Sequence, residues 1–443
     1  MIDLTTTIYF IILLSTLLFF IKKYNGDAFH VIPLFLLLSI AEVPYLYYIS
    51  HNTEELHQQV LYYLNDFEVS FLKHVFFKLV FIFFCLIAML LFKPKVYSRA
   101  AVMLSNGNGS ITLLVFFSAV SIGSFIAFLE QVGGLFYLIS NMDNKTNVVK
   151  GTALYRNLFF ISSLLAVGAY ISSLNPYRVS IRNVLFLIFV VIVYFLMLAS
   201  FGERKNPLLL IVFTFIMWNY AIRKLDVFSL KNLVIILFFI LFSSIAPVLR
   251  NQGAFELYLL HPSDLVKDSL PYLGELFKRF SDIDISLFIY SYFDESGKFW
   301  YGATFSDFFS GFIPSSLYEN KPPLDEGVYI YNMAQGLVVE IGSPFKDMIP
   351  VGWPLSRVTS GYIHFGIVGI VVYAIFTGVI LKYFYNLMVY SSYSPIWVAF
   401  YTYLMLIGFG ISNAFVFNAI TILCLLVILS FITNLFRGLN VSR

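Results

Sequence analysis

Three arginines stand at the edges of long apolar runs in this sequence. Arg204 lies in SFGERKNP between two runs, Arg250 ends a third in IAPVLRNQG, and Arg357 precedes a fourth in WPLSRVTSGYIHFG. A guanidinium group presents a planar fork of donors that fits phosphate oxygens, and Gly202 lets the backbone beside Arg204 bend. The alternative for each arginine is a solvated turn or a side chain that snorkels to a lipid interface. The pattern therefore indicates a candidate phosphate site.

Other ionisable residues stand inside or beside the apolar runs. Glu42 and Lys78 lie within runs, where ionisable groups are functional by default. Lys78 is close enough to the end of its run to snorkel, and a buried partner would explain Glu42. His364 begins the run after Arg357, where it is either a hydrogen-bonded interfacial side chain or a catalytic group.

Short motifs for metal or nucleotide chemistry are weak or missing in the sequence. Asp282 and Asp284 have the DxD spacing of metal-dependent glycosyltransferases, but an isolated three-residue pattern favours a structural role. The sequence contains no P-loop, no GxGxxG opening a helix, no HExxH and no GxSxG. Cys85 and Cys424 fall inside apolar runs, which predicts neither a disulfide nor a cysteine metal site. We therefore expect no metal and no cofactor.

The composition places these residues in a polytopic α-helical membrane protein with a single membrane-embedded domain, 1–443. Of the 443 residues 59% are hydrophobic and 12% are charged, whereas soluble domains carry about 25% charged residues. A membrane span needs roughly 17–25 apolar residues. The sequence predicts eleven transmembrane helices, at 4–21, 28–50, 74–92, 111–129, 157–175, 184–201, 207–222, 233–249, 361–384, 395–412 and 414–436.

The last two spans form one apolar block, 395–436. As one helix it would be about 63 Å long at 1.5 Å per residue, twice the hydrocarbon thickness. The block must therefore fold back, and we place the turn near Ser412 and Asn413.

Charge decides which loops face the cytoplasm. With the N-terminus outside and the C-terminus inside, the basic clusters at 22–23, 93–99, 178–182 and 223–231 all fall on the cytoplasmic side. The same assignment satisfies every short loop, as the positive-inside rule requires. It leaves Arg204 on the outer face, where short loops normally avoid basic residues.

The same assignment exposes one large loop, 250–360, on the outer face. Loops of this length are usually functional. The loop carries an excess of acids over bases, so an anion there must be held by a few aimed side chains. Arg250 and Arg357 are the best placed, because both should lie at headgroup depth, as Arg204 should. Within the loop, 285–293 is too short to span a membrane and suits an interfacial or re-entrant helix.

Three segments, taken together, carry a family likeness. FGERKNPLLL is an apolar span followed by Gly-x-Arg, and FIPSSLYENKPPLDEG (312–327) has an Ile-Pro-x-x-Leu-aromatic-x-x-Lys-Pro pattern late in the large loop. PVGWPLSRVTSGYIHFGIVG (350–369) is a proline-rich approach to an aromatic-x-x-Phe-Gly-x-x-Gly span. Their order and placement resemble the bacterial O-antigen polymerases, the Wzy-type membrane glycosyltransferases, over most of the chain.

The resemblance implies a GT-C-like membrane glycosyltransferase of the bacterial inner membrane that acts on the periplasmic face. Such an enzyme transfers a growing glycan from undecaprenyl pyrophosphate to the non-reducing end of an undecaprenyl-pyrophosphate-linked repeat unit. Arg204, Arg250 and Arg357, with Lys321, would stabilise the pyrophosphate, since aimed cations act most strongly where charge develops. The implied partners are the lipid-linked donor and acceptor, a chain-length regulator and a flippase within the bilayer, and no nucleic acid.

The identity of the catalytic base stays open on the sequence. Many relatives carry a glutamate ahead of the Phe-Gly element, where this chain has Ser360 and His364. The candidates for taking the acceptor proton are His364, Glu203 and Glu340, in that order.

Two other functions remain open. An O-antigen ligase would transfer the glycan to a lipid A core, and ligase-like proteins keep a histidine near the end of the outer loop, as His364 is. A lipid-linked-sugar flippase or other transporter predicts charges spread through a central cavity rather than clustered at the outer face.

Overall fold

Every regular element in the described part of the chain is a helix. The computed structural model of the protein describes residues 1–94, 111–141, 148–149, 151–201, 205–226, 229, 245, 248, 258, 262–269, 272, 278, 281–313, 317–407 and 413–441. The α-helices are α1 (Ile2–Lys23), α2 (Val31–Ile40), α3 (Val43–His51), α4 (Gln58–Tyr63), α5 (Phe67–Leu91), α6 (Ile111–Val132), α7 (Leu135–Ser140), α8 (Ala153–Ser173), α9 (Ile181–Ser200), α10 (Lys205–Ala221), α11 (Pro262–Ser269), α12 (Ile283–Ser296), α13 (Asp307–Ser310), α14 (Glu326–Ala334), α15 (Arg357–Tyr390), α16 (Pro395–Ile407) and α17 (Asn413–Val441).

Seven membrane-length apolar helices stand among the described residues, which fits a polytopic membrane protein. They are Ile2–Lys23, Val31–His51, Phe67–Leu91, Thr112–Val132, Ala153–Ser173, Ile181–Ser200 and Arg357–Tyr390. Each overlaps a predicted span. The predicted span 233–249 lies almost entirely outside the described residues, so the total of eleven stays a prediction.

Three further predicted spans correspond to shorter or divided helices. Helix α10 covers the predicted span 207–222 except for its last residue. Helices α16 and α17 divide the apolar block at 395–436, since α16 ends at Ile407 and α17 begins at Asn413. Ser412, half of the predicted turn, lies outside the described residues.

Contacts at helix ends join segments that the charge pattern assigns to one side. On the predicted outer side, Asp3 pairs with His51 at 3.4 Å. On the predicted inner side, the Tyr220 hydroxyl donates to Asp27 at 2.8 Å. The packing is therefore consistent with the predicted assignment of these segments to the two sides of a bilayer.

The second span is broken in its middle. Helix α2 ends at Ile40 and α3 begins at Val43, with Glu42 between them. Pro44 causes the break, because it has no N–H to donate to the carbonyl four residues earlier. The break brings the Glu42 carboxylate into the interior, where only 3% of the residue is exposed.

Helix α15 is a hairpin rather than one straight span. Phe365 and Gly366 have non-helical backbone angles, with Gly366 at φ +60° and ψ −141°. A Cβ added at Gly369 would lie 1.9 Å from the Gly361 carbonyl oxygen, although these residues would be about 12 Å apart in a straight helix. A short arm (357–364) therefore folds back on a long arm (367–390). The predicted span 361–384 is wrong at its start, which lies inside the short arm.

Helix α12 is the element predicted from 285–293. It runs from Ile283 to Ser296, is buried over most of its length, and packs on α5 and α15. Asp282 at its start contacts Lys78, and Asp294 near its end pairs with Lys73, so α12 runs antiparallel to α5. The large loop thus returns a helix into the interior of the bundle, as a re-entrant segment does.

Candidate functional site

His364 and Glu326 form a buried pair at the end of the large loop. His364 is the last residue of the short arm, directly before the reversal at Phe365. Glu326 begins α14, where the Asp325 side chain accepts from the Gly327 amide at 3.0 Å and caps the helix. The helix start and the hairpin thus position the two side chains toward each other.

The pair is short-range and closed to solvent. The His364 Nε2 atom lies 3.3 Å from Glu326 Oε1, and the Thr304 hydroxyl donates to the same oxygen at 2.7 Å. His364 is 0% exposed and Glu326 is 2% exposed. His364 Nδ1 and Glu326 Oε2 are buried without a hydrogen-bond partner among the described residues. One donor or acceptor site on each side chain is therefore left for another molecule.

Aromatic rings and backbone hydrogen bonds hold the His364 ring in place. The rings of Phe305, Trp300 and Tyr373 lie 4.6, 5.8 and 6.2 Å from it, centroid to centroid. The amide of Tyr301 donates to the His364 carbonyl at 3.0 Å. These rings help to close the imidazole off from solvent.

A second layer of polar groups surrounds the pair. The Tyr329 hydroxyl donates to Asp307 at 3.0 Å and accepts from the Gly342 amide at 3.0 Å. Burial raises the pKa of the Asp307 carboxyl above its usual value, and the hydrogen bond from Tyr329 partly offsets that rise. The Asn413 side chain donates to the Thr304 carbonyl at 2.6 Å. We call these six residues the outer network: Thr304, Asp307, Glu326, Tyr329, His364 and Asn413.

A cavity of about 470 Å³ adjoins the outer network. Its lining includes Lys321, Lys346 and Asp325, and it also includes Ala414, the neighbour of Asn413. The Lys321 ammonium donates to the carbonyls of Ile313 at 2.9 Å and Gly311 at 3.4 Å. Lys321 therefore lines a cavity, and its hydrogen bonds also stabilise the turn after α13.

Glu340 is the one remaining candidate base that lies among the described residues. Glu340 is exposed, two residues before Gly342, whose amide reaches the outer network. Glu203, Arg204 and Arg250 lie outside the described residues. The assignment of roles to these residues stays a prediction.

A second polar cluster lies deep in the helix bundle. Lys78 Nζ is 2.9 Å from Glu42 Oε2 and 2.6 Å from Asp282 Oδ1. The Tyr9 hydroxyl donates to Glu42 Oε1 at 2.6 Å. His74, one turn before Lys78 on α5, is 0% exposed. We call these residues the intramembrane cluster: Tyr9, Glu42, His74, Lys78 and Asp282.

Lys78 does not snorkel, since it lies three turns into α5, which begins at Phe67. Its ammonium group binds two carboxylates instead. The sequence identified Glu42 and Lys78 as exceptional but did not pair them, and it assigned Asp282 no function. The ion pair with Lys78 agrees with the structural reading of the Asp282–Asp284 motif.

Arg357 lies far deeper than the sequence predicted. It shares a cavity of about 50 Å³ with Glu42, Lys78 and Leu381, and Leu381 is about 22 Å along the long arm from Gly366 at 1.5 Å per residue. Its Nη2 atom donates to the Leu404 carbonyl at 3.4 Å. The expectation of headgroup depth is wrong for Arg357, because the short arm carries it inward from the turn.

Comparison of the chain with protein-family models, curated proteins and solved structures found no match.

Sequence reasoning missed Glu326 altogether. The signal that could have found it is local: Asp325-Glu326-Gly327 follows two prolines and opens an apolar helix, which is a helix start rich in acids. Such a start predicts a capping aspartate, and the next carboxylate then points into the structure or into solvent. The choice depends on what packs against α14, which the sequence does not disclose.

Proposed function

We propose that the protein is a membrane glycosyltransferase that polymerises lipid-linked oligosaccharide repeat units on the outer face of a bacterial inner membrane, as O-antigen polymerases do. The observation that carries this proposal is the meeting of two distant segments. The segment 312–327 contributes Glu326, and the segment 350–369 contributes His364. The Trp353 amide also donates to the Gly327 carbonyl at 3.0 Å. These are two of the three segments in which the chain resembles that family.

The reaction requires one proton transfer and one leaving group. The acceptor hydroxyl gives its proton to His364 Nδ1 and its oxygen forms a bond to the donor sugar carbon, while the bond from that carbon to pyrophosphate breaks. A hydrogen bond from Nε2–H to Glu326 leaves the lone pair on Nδ1, which is the form a base needs.

The leaving group carries away negative charge as undecaprenyl pyrophosphate. Arg204, Arg250 and Lys321 are the proposed partners of its phosphate oxygens. Arg357 is no longer in this group, because its guanidinium lies beside Leu404 deep in the bundle.

Deletion of the gene with analysis of the surface glycan tests the proposal. Single repeat units on lipid A mean that a polymerase was lost. Unsubstituted lipid A cores mean that a ligase was lost. The position of His364 near the end of the large loop is also compatible with a ligase. Complementation with His364→Ala, at a matched protein level, then shows whether the outer network carries the activity.

A transporter of lipid-linked sugars is the second candidate, because one observation favours it. Glu42, Lys78 and Asp282 place charge deep in the bundle beside a broken helix, which is common where transporters bind their ions. Loss of lipid-linked units from the periplasmic leaflet in the deletion strain would support this function instead.

A further inference from the structure

His74 is a buried imidazole that lacks the partners such a group normally has. It is 0% exposed, and neither of its ring nitrogens has a hydrogen-bond partner among the described residues. Buried polar groups are nearly always hydrogen-bonded, and leaving one unsatisfied destabilises the folded protein. The position of His74 on α5 therefore indicates a missing ligand.

Two carboxylates stand next to the imidazole. One oxygen of Glu42, one oxygen of Asp282 and one nitrogen of His74 all lie within 4.8 Å of one another. They come from three separate elements: the break between α2 and α3, the helix α5, and the start of α12. Ligands about 2.0–2.2 Å from a tetrahedral ion lie roughly 3.3 Å apart, so small side-chain movements would close the set on a metal.

One oxygen of each carboxylate accepts a hydrogen bond from a hydroxyl group, as is common for carboxylates that bind a metal. Tyr9 donates to Glu42 Oε1 at 2.6 Å, and Ser286 donates to Asp282 Oδ2 at 3.0 Å. Outer hydrogen bonds of this kind orient ligating carboxylates. The other two oxygens, Glu42 Oε2 and Asp282 Oδ1, both face Lys78.

Lys78 occupies the place of a cation between these oxygens. Its ammonium group neutralises the two carboxylates, but both nitrogens of His74 stay without a hydrogen-bond partner among the described residues. A divalent ion would satisfy all three side chains at once.

We propose that Glu42, His74 and Asp282 bind a divalent transition-metal ion of the zinc class, in competition with the Lys78 ammonium. One nitrogen and two oxygen ligands suit Zn²⁺, and leave a fourth position for water. The inference does not depend on the proposed glycosyltransferase activity, since binding is measured without any glycan.

Titration of the purified full-length protein with Co²⁺ tests the proposal. Metal is first removed with a chelator, and the visible absorption of bound Co²⁺ reports its coordination. We expect one Co²⁺ per chain, displaced by Zn²⁺. His74→Gln should weaken binding at least tenfold, and Lys78→Met should strengthen it because the internal competitor is gone. His57→Gln is the matched control, since His57 is exposed, and it should bind as the wild type does.

Two results would overturn the proposal. One is a wild-type protein that takes up no Co²⁺, whatever the Lys78 variant does. The other is Co²⁺ binding that survives His74→Gln, which would assign the metal to other residues and leave an ordered water as the partner of His74. If Lys78→Met does not fold, the apparent Tm with and without Zn²⁺ is measured instead. The proposal requires that Zn²⁺ raise the apparent Tm of the wild type and leave that of His74→Gln unchanged.

Discussion

The His364 imidazole and the Glu326 carboxylate, 38 residues apart in sequence, meet at 3.3 Å between Nε2 and Oε1. The Thr304 hydroxyl holds the same oxygen at 2.7 Å. Because Oε1 has two donors, the carboxylate orients the ring instead of turning freely, and His364 Nδ1 is left as the reactive atom. In the proposed reaction Glu326 is therefore a positioning residue for the base.

Glu326→Gln should slow polymerisation by roughly ten- to 150-fold. A hydrogen bond to a charged group contributes about 1.5–3 kcal/mol, at about 1.36 kcal/mol per decade of rate. The measurement is the initial rate of polymer formation from lipid-linked repeat units by purified variants. A merely structural role predicts a lower protein yield with an unchanged rate per folded molecule.

A double variant separates positioning from an independent effect. If Glu326 acts through the imidazole, Glu326→Gln should cause little further loss in a His364→Ala protein. If the fold-loss in rate of the double variant equals the product of the two single losses, the two side chains act separately. The assignment of Glu326 as a positioning residue would then be wrong.

Lys78→Ala should destabilise the protein by about 3–5 kcal/mol, because it leaves the buried carboxylates of Glu42 and Asp282 without their cation. The apparent Tm in one detergent measures this loss. Lys73→Ala is the matched control on the same helix. Its pair with Asp294 is partly exposed, so the expected loss is at most about 1 kcal/mol. Equal losses from both variants would contradict the buried ion pair.

Much of the helical framework follows from sequence, since apolar length alone locates a span. Seven predicted spans overlap membrane-length helices. One of the seven, 361–384, begins within the short arm of the α15 hairpin, and this displacement has a local cause. Hydropathy does not distinguish a straight span from a hairpin. The reversal needs the positive φ of Gly366 and the close approach of Gly361 to Gly369.

The polar clusters were less predictable because each one joins residues that are far apart in the chain. Glu42 and Lys78 stood out singly as charges in apolar runs, but nothing local connects them to Asp282. Arg357 looked interfacial because it precedes an apolar run. The hairpin reverses that inference, since the residues before the turn point inward.

Arg204→Ala should abolish most polymerisation while the protein inserts normally. The prediction rests on the sequence, since Arg204 lies outside the described residues. One lost phosphate contact in the transition state slows the step by roughly ten- to 150-fold. Arg204→Lys should recover only part of the rate, because a point charge replaces a planar fork. Normal polymer from Arg204→Ala would mean that Arg204 makes no contact with phosphate that matters for the reaction.

Lys321→Ala should reduce the amount or length of polymer. The change removes a cation from the cavity lining and also frees the carbonyls of Gly311 and Ile313. Lys346→Ala is the matched control, because Lys346 is an exposed cation that lines the same cavity. If both variants give wild-type glycan ladders, neither lysine contacts the substrate.

Gly369→Ala should destabilise the protein by about 3 kcal/mol, at the upper end of overpacking costs. The new Cβ would lie 1.9 Å from the Gly361 carbonyl oxygen, and a backbone oxygen cannot rotate aside as a side chain can. The two arms of the hairpin would have to separate, which would also displace His364. Apparent Tm and the polymerisation rate should therefore fall together.

Gly123→Ala is the control that makes this result decisive. Gly123 lies within α6 with no neighbour within 4 Å of an added Cβ, so alanine should stabilise the helix by up to about 1 kcal/mol. In a straight α15, Gly361 and Gly369 would be about 12 Å apart, and Gly369→Ala would stabilise the protein as Gly123→Ala does. Opposite shifts of Tm in the two variants thus support the hairpin, and parallel rises would exclude it.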